Sequence, residues 1–189
     1  FNAASPGAVS HFATNQSASF RDILYDSASR SIWVPSWYSQ TITRLDASTG
    51  ALVGTFNYKI RGLQVRFFDG TFVWATDDTK LFKVRAADGF VVYSVSLGGR
   101  ASSVLSDSNY LWVTVASTGA VLKLDLYSGG TVCSLTLPSG DSPQGVAFDG
   151  RYYWVTAAGS GQLYQVNNLC AQVGIAISLT ATSNSLGKI

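Results

Sequence analysis

The chain lacks glutamate and methionine entirely, and among its 189 residues it has one histidine, His11, and two cysteines. Without Glu there is no Glu general acid, and with one His and two Cys there is neither a His-rich metal site nor a CxxC zinc knuckle. Charge is also scarce. Only 13% of residues are charged against 47% apolar, with a net charge of +2, so the chain is neither disordered nor a basic nucleic-acid arm. The few Lys and Arg form no stripe, and no nucleic-acid partner is expected. No run of 18 apolar residues exists, so no membrane span is expected, and no basic-plus-apolar leader stands at the front. With Phe at position 1 and no methionine, the chain reads as a processed or excised product.

What is abundant is Ser, Thr, Gly and aromatics, a composition that suits a secreted or cell-surface domain. Cys133 and Cys170 fit either one disulfide or two buried thiols equally well. Asn15-Gln16-Ser17 is an N-glycosylation sequon, so Asn15 is a possible glycan site in a eukaryotic source.

The chain repeats itself. Trp33, Trp74, Trp112 and Trp154 stand 41, 38 and 42 residues apart, and a period of that size announces a solenoid or propeller. An Asp precedes each Trp by seven, five, five and five residues: Asp26, Asp69, Asp107 and Asp149. After each Trp comes a second apolar run, at Leu45, Val84, Leu124 and Val166, and the first three continue through a Gly turn (Gly50, Gly89, Gly129-Gly130) into another β-rich stretch. Each unit therefore reads as four short strands and three turns in about 40 residues, the size of one propeller blade. Asp69-Gly70, Asp149-Gly150 and Asp88-Gly89 supply the turn chemistry of tight hairpins. The strands are apolar on both faces, as in sheets sandwiched between neighbours, and no segment has helical periodicity with caps.

The resulting expectation is an all-β fold: a β-propeller with four recognisable four-stranded blades of about 40 residues, plus an extra N-terminal strand. The chain is read as one domain, 1–189, with blades near 21–60, 61–100, 101–140 and 141–180 and an N-terminal strand and connection over 1–20. The strand-like segment at residues 8–12 aligns with the fourth strand of a blade, while Val173 to Thr180 supplies the last blade's own outer strand. Five outer strands for four blades leave one to pair. It either closes the ring within the chain or, as this reading favours, pairs outside it, with a neighbouring copy, which makes the N-terminal strand a route to a homo-oligomer, or with a missing part of a larger propeller.

The fourth unit, Pro143-Gln144-Gly145-Val146-Ala147-Phe148-Asp149-Gly150 followed by Tyr153-Trp154-Val155-Thr156, resembles the repeat of the YVTN and NHL type of β-propeller found in many bacterial secreted proteins. The second unit repeats it less cleanly, and the resemblance covers about residues 20–180. It implies the propeller fold and leaves activity open, because the family's shared positions build blades. The streptogramin lyase type of propeller relies on His and Glu residues, and a chain with no Glu and one His departs from that pattern.

The four repeated tryptophans are expected to be core, since they sit mid-strand in the most apolar run of each unit. Residues that break the repeat are the better site candidates. The first unit carries Trp37 and Tyr38 in its loop between the second and third strands, a ligand or partner contact or else packing over a neighbouring loop. The equivalent loop of the second unit holds Asp77-Asp78, either Ca²⁺ ligands or solvated turn residues; six to eight oxygens and a Ca²⁺-loop spacing are missing, and no metal is expected. Lys59, Arg61 and Arg100 lie in connections between units, on the same face, and complete a mixed-charge rim. No catalytic constellation emerges: His11 stands in an N-terminal stretch, no G-x-S-x-G elbow is present, and no cofactor is expected. The expected role is a non-enzymatic extracellular recognition or assembly module with a protein or glycan partner. The alternatives are a carbohydrate-binding lectin using Trp37 and Tyr38, a structural subunit of a surface polymer, and a propeller-type lyase or hydrolase.

Overall fold

The computed structural model describes residues 20, 22–170 and 177–178. The expected N-terminal strand, His11 and the sequon at Asn15 lie outside the described residues, as does most of the expected Val173–Thr180 strand.

Every regular element among the described residues is a β-strand, and the strands gather in chain order into four four-stranded sheets. Sheet 1 is β1 (Leu24–Asp26), β2 (Ser31–Ser36), β3 (Thr41–Asp46) and β4 (Leu52–Asn57). Sheet 2 is β5 (Gln64–Phe68), β6 (Phe72–Thr76), β7 (Lys80–Arg85) and β8 (Val91–Ser96). Sheet 3 is β9 (Ala101–Asp107), β10 (Tyr110–Val115), β11 (Ala120–Asp125) and β12 (Thr131–Thr136). Sheet 4 is β13 (Pro143–Phe148), β14 (Tyr153–Ala157), β15 (Gln162–Val166) and β16 (Ile177–Ser178). Each sheet is ordered first to fourth, an up-and-down meander. The chain divides into two compact units, residues 1–75 with 83–92 and residues 76–82 with 93–189.

The turns explain where the aspartates went. Asp69 Oδ1 accepts the N–H groups of Thr71 and Phe72 at 3.0 and 2.7 Å, and Asp107 and Asp149 do the same for the residues two and three positions on. Such Asx turns let a short side chain satisfy turn donors. Gly70 and Gly150 follow at φ 101° and 98°, a region that side-chain-bearing residues avoid. The other carboxylate oxygen of the same three residues accepts the indole N–H of the tryptophan five residues later, at 2.8, 3.2 and 2.7 Å for Trp74, Trp112 and Trp154. One Asp thus closes the turn and satisfies the one polar atom of a large apolar ring.

Three tryptophans form the core as expected: Trp33, Trp74 and Trp112 are fully buried. Each ring removes enough apolar area to contribute about 5 kcal/mol before entropy. The fourth corrects the expectation, because Trp154 is only half-buried. Its strand has the same local sequence, but burial is conferred by whatever covers the sheet face.

In the unit 93–189 the face bearing Trp112 is covered by sheet 4. The Trp112 ring stacks on Tyr153 with centroids 3.9 Å apart, and Val121, Leu137, Val155, Tyr164 and Val166 complete the cluster. Cys133 on β12 and Cys170 after β15 form a disulfide across 37 residues of chain, which resolves the two alternatives left by the sequence. In the unit 1–75 with 83–92, Phe56 on β4 packs over Gly89, where an added Cβ would lie 2.3 Å from the ring.

A cation recurs beside each buried Trp. Arg44 is the cross-strand partner of Trp33 and Lys123 that of Trp112, and the Lys83 ammonium lies 5.1 Å from the Trp74 ring. Each of the two paired residues also reaches a neighbouring turn: Arg44 donates to Ala86 O at 2.9 Å and Lys123 to Asn168 O at 2.8 Å. The fourth repeat places Gln165 opposite Trp154.

Candidate functional site

Two segments of the first unit adjoin at the turn between β2 and β3. Ser36 is buried and its hydroxyl accepts the Ser39 N–H at 3.4 Å, while Ser39 and Thr41 share a hydroxyl contact at 2.8 Å. This pinned base carries Trp37, half-buried, and Tyr38, 67% exposed. The connection after β4 lies against it through Tyr58 N–H to Gln40 O at 3.0 Å. Tyr58 itself points inward, donating to Gly89 O at 2.9 Å, and burial, with Asp88 nearby, raises its phenol pKa. Lys59 and Arg61, both exposed, follow on the same connection.

The backbone there is strained. Gln40 sits at φ 60° and Lys59 at φ 55°, the left-handed region that costs a side-chain-bearing residue about 1–2 kcal/mol. At the position of Gln40, just before the third strand, sheets 3 and 4 use Gly119 and Gly161 at φ 69° and 67°. The first repeat therefore keeps a side chain where two sister repeats relax the turn. Backbone strain of this kind clusters at functional sites. Residues 36–40 and 57–61 contain two exposed cations, an exposed phenol and a half-buried indole, and no carboxylate.

The second unit holds the other predicted residues. Asp77 is another Asx-turn residue: its Oδ1 accepts Thr79 N–H at 2.7 Å and Lys80 N–H at 2.6 Å, which commits that oxygen to the turn. Asp78 lies 3.8 Å from Arg100, both half-exposed, an ion pair worth about 0–1 kcal/mol. Among the described residues, no three His, Cys, Asp or Glu side chains gather as a metal site would need.

A cavity of about 440 Å³ lies between the β10–β11 turn and the connection after β12, lined by Ser117, Thr118, Ser139, Ser142 and the buried Asp141 among others. Hydrogen bonds from Ser160 and Tyr164 hold the Asp141 carboxyl below its usual range, and burial with the Asp141 charge pushes the Tyr164 phenol up to about 12. Sequence reasoning missed this pair. Asp141 lies outside the turn positions that repeat, and Tyr164 looks like any strand aromatic. The cation beside each buried Trp was also missed, although Arg44, Lys83 and Lys123 follow their tryptophans by 11, 9 and 11 residues.

No family model and no curated protein matches the chain. Solved structures do. BamB from Moraxella catarrhalis aligns with a TM-score of 0.69 and 16% identity over 83% of this chain and 53% of its own. The dihydro-heme d1 dehydrogenase NirN, in complex with DHE, aligns with a TM-score of 0.72 and 14% identity over 86% of this chain and 38% of its own. The computationally designed Ika4 protein gives 0.67 and 13% identity over 80% and 92%. The chain thus spans about half of BamB and less than two fifths of NirN. These similarities, with the four meander sheets, make the fold an all-β β-propeller of four four-stranded blades.

Proposed function

We propose that the chain is a non-enzymatic recognition module, extracellular or at the cell surface, that binds a partner through the strained aromatic turn of the first blade. One observation carries this reading: Gln40 and Lys59 both hold left-handed backbones, in two segments joined by the Tyr58 N–H to Gln40 O bond, and the first of these segments carries Trp37 and the exposed Tyr38. An exposed phenol beside an indole offers a rigid apolar contact at low entropic cost. Lys59 and Arg61, with no carboxylate in either segment, favour a partner segment that is acidic. Asp77 and the Asp78–Arg100 pair, which lie in the other compact unit, are turn-bound or paired with each other and are not assigned to this site. A disulfide between Cys133 and Cys170 suits an oxidising compartment, which supports the extracellular assignment.

The lectin reading draws on the same rings, because exposed aromatics also stack on sugar faces. Two panels separate them: a displayed random-peptide library selected on the immobilised chain, and a glycan array probed with the labelled chain. The recognition reading expects peptides enriched in Asp, Glu and apolar residues, whose binding falls at least tenfold in the Trp37→Ala/Tyr38→Ala variant while its melting temperature stays within a few degrees of wild type. Array signal lost in the same variant supports the lectin instead. A double variant that binds either panel as well as wild type removes the turn from consideration.

A further inference from the structure

We infer that the cavity between the β10–β11 turn and the connection after β12 binds a primary ammonium group on a short alkyl chain, with the Asp141 carboxylate as its counter-ion. The cavity lies wholly within the unit 76–82 with 93–189, and the inference does not depend on the recognition reading of the first blade.

Asp141 lines the cavity as a buried charge, only 8% exposed. Hydroxyls of Ser160 and Tyr164 donate to its carboxylate and favour the ionised form. Yet among the described residues no Lys, Arg or His forms an ion pair with it, and none lines the cavity. A buried charge without a countercharge costs stability, and a blade junction does not require one. The passage from β8 to β9 is made by Leu97-Gly98-Gly99-Arg100, with no carboxylate. The segment is also fixed in place: besides the two hydroxyl bonds, Gly159 is so close that an added Cβ would lie 1.8 Å from Gly140 O. Such support from neighbouring groups holds a binding side chain ready for its ligand.

The surroundings of Asp141 select a donor. The N–H groups of Thr118, Gly119, Leu137 and Asp141 are spent on Val115, Ala116, Gly119 and Pro138 carbonyls. The Thr118 and Ser142 hydroxyls each donate at 3.3 Å, to Val115 O and Ala116 O, which leaves their oxygens as acceptors. The carbonyls of Asp141 and Leu137 converge on Gly119, 3.6 and 3.7 Å from where its Cβ would stand, and no described residue donates to either. An ammonium brings three donors and one positive charge to this set of acceptors. A metal ion would leave most of the space of about 440 Å³ unfilled, whereas that volume suits a small organic ligand. The room exists because of one residue. Leu137 N–H donates to Gly119 O as Tyr58 N–H does to Gln40 O, so the first and third repeats build the same corner, and the third has glycine where the first has a glutamine side chain.

The test is an NMR titration of the 189-residue chain with pentylamine, with Nα-acetyl-lysine amide and, as the uncharged control, with 1-pentanol. Both amines are expected to give saturable shifts at the amides of residues 116–119 and 137–142, and pentanol none. Tighter binding of the lysine amide identifies a peptide lysine as the source of the ammonium, and equal binding a free alkylamine. Asp141→Asn keeps an acceptor oxygen for the Ser160 and Tyr164 hydroxyls but removes the charge, and weakens binding at least tenfold. Gly119→Asn fills the cavity from its other wall with a residue that tolerates the left-handed backbone at φ 69°, and abolishes binding while the melting temperature stays within a few degrees of wild type. Should Asp141→Asn misfold, Gly119→Asn carries the test. Asp46→Asn, which removes an exposed carboxylate of the other unit, leaves the affinity unchanged. Amine shifts that fail to saturate or fall elsewhere overturn the inference. So does pentanol that binds as well as pentylamine, or a folded Asp141→Asn or Gly119→Asn variant that binds as well as wild type.

Discussion

Replacing Asp107 tests the central claim about how the repeats are held together. Its Oδ1 accepts Asn109 and Tyr110 N–H groups at 3.2 and 2.9 Å, and its Oδ2 accepts the Trp112 indole N–H at 3.2 Å and the Tyr153 hydroxyl. Trp112 and Tyr153 are both buried, so Asp107→Ala leaves two donors with neither protein nor solvent to accept them. At about 1–3 kcal/mol for each buried donor left unpaired, the substitution costs about 4 kcal/mol. Asp107→Asn keeps one acceptor oxygen for the turn and an amide beside the phenol, and costs about 1–2 kcal/mol. Asp46 provides the control, since it makes the same turn through Ser48 and Thr49 N–H groups on the exposed surface, and Asp46→Ala is expected to shift stability far less. Urea unfolding followed by tryptophan fluorescence measures all three, with the midpoint falling and the slope unchanged. If Asp107→Ala and Asp46→Ala shift the midpoint equally, the carboxylate is only a turn residue and its link to the indole and phenol carries no energy.

Breaking the Cys133–Cys170 bridge by Cys133→Ser/Cys170→Ser costs about 3–4 kcal/mol for a bridge that closes 37 residues of sequence separation, measured as the difference in denaturant midpoint. Gln40→Gly relieves the left-handed strain and stabilises by about 1 kcal/mol in a thermal melt, while weakening partner binding if the strained turn is the site. Gly159→Ala places a Cβ 1.8 Å from Gly140 O, so the 138–142 connection must move, and a loss of about 2–3 kcal/mol is expected in the same melt. Stability against pH should hold above about pH 5 and decline in acid. Arg85, with the Phe90 N–H, holds Asp88 down to about 2. Asp107, pushed up by burial, is brought below its usual value by the bonds from Tyr153, Asn109, Tyr110 and Trp112. Carboxyls depressed in the folded state contribute stability above the unfolded pKa near 3.9 and lose it as pH falls through the folded value. Asp22, raised by burial, works in the opposite sense, so a chain more stable at pH 3 than at pH 6 would show that the depressed carboxyls do not dominate.

The repeat was legible because its signals are local. Trp, the Asp ahead of it and the Gly of the tight turns recur at fixed spacing, and each acts within its own hairpin. The single irregular spacing also had a consequence. Asp26 precedes Trp33 by seven residues where the others stand at five, and Trp33 Nε1 is buried without a hydrogen-bond partner while Asp26 turns to Ala28, Ser29 N–H and the Ser29 hydroxyl. Two added turn residues carried the carboxylate away from the ring. Burial was not legible in the same way. Trp112 and Trp154 have the same turn, the same Asp bond and the same strand, yet one is closed over and the other half open, because the cover comes from a different sheet.

The candidate turn shows the same division. Sequence marked Trp37 and Tyr38 because they break the repeat, and Asp77 and Asp78 because they are adjacent. It had no means of telling that Asp77 is tied to its own backbone while Asp78 reaches Arg100, since that depends on which carboxylate faces the turn. Nor did it mark Gln40, whose importance is conformational: a glutamine is ordinary in any sequence and unusual only at φ 60°. Strain of that kind persists only where the surroundings over-determine it. Here the hydroxyl pins at Ser36 and Ser39 and the bond from Tyr58 to Gln40 do so. A relaxed glycine turn folds with fewer constraints, as the third and fourth repeats demonstrate, and it is on this contrast that we propose the first repeat's turn serves what its side chains present rather than the stability of the blade.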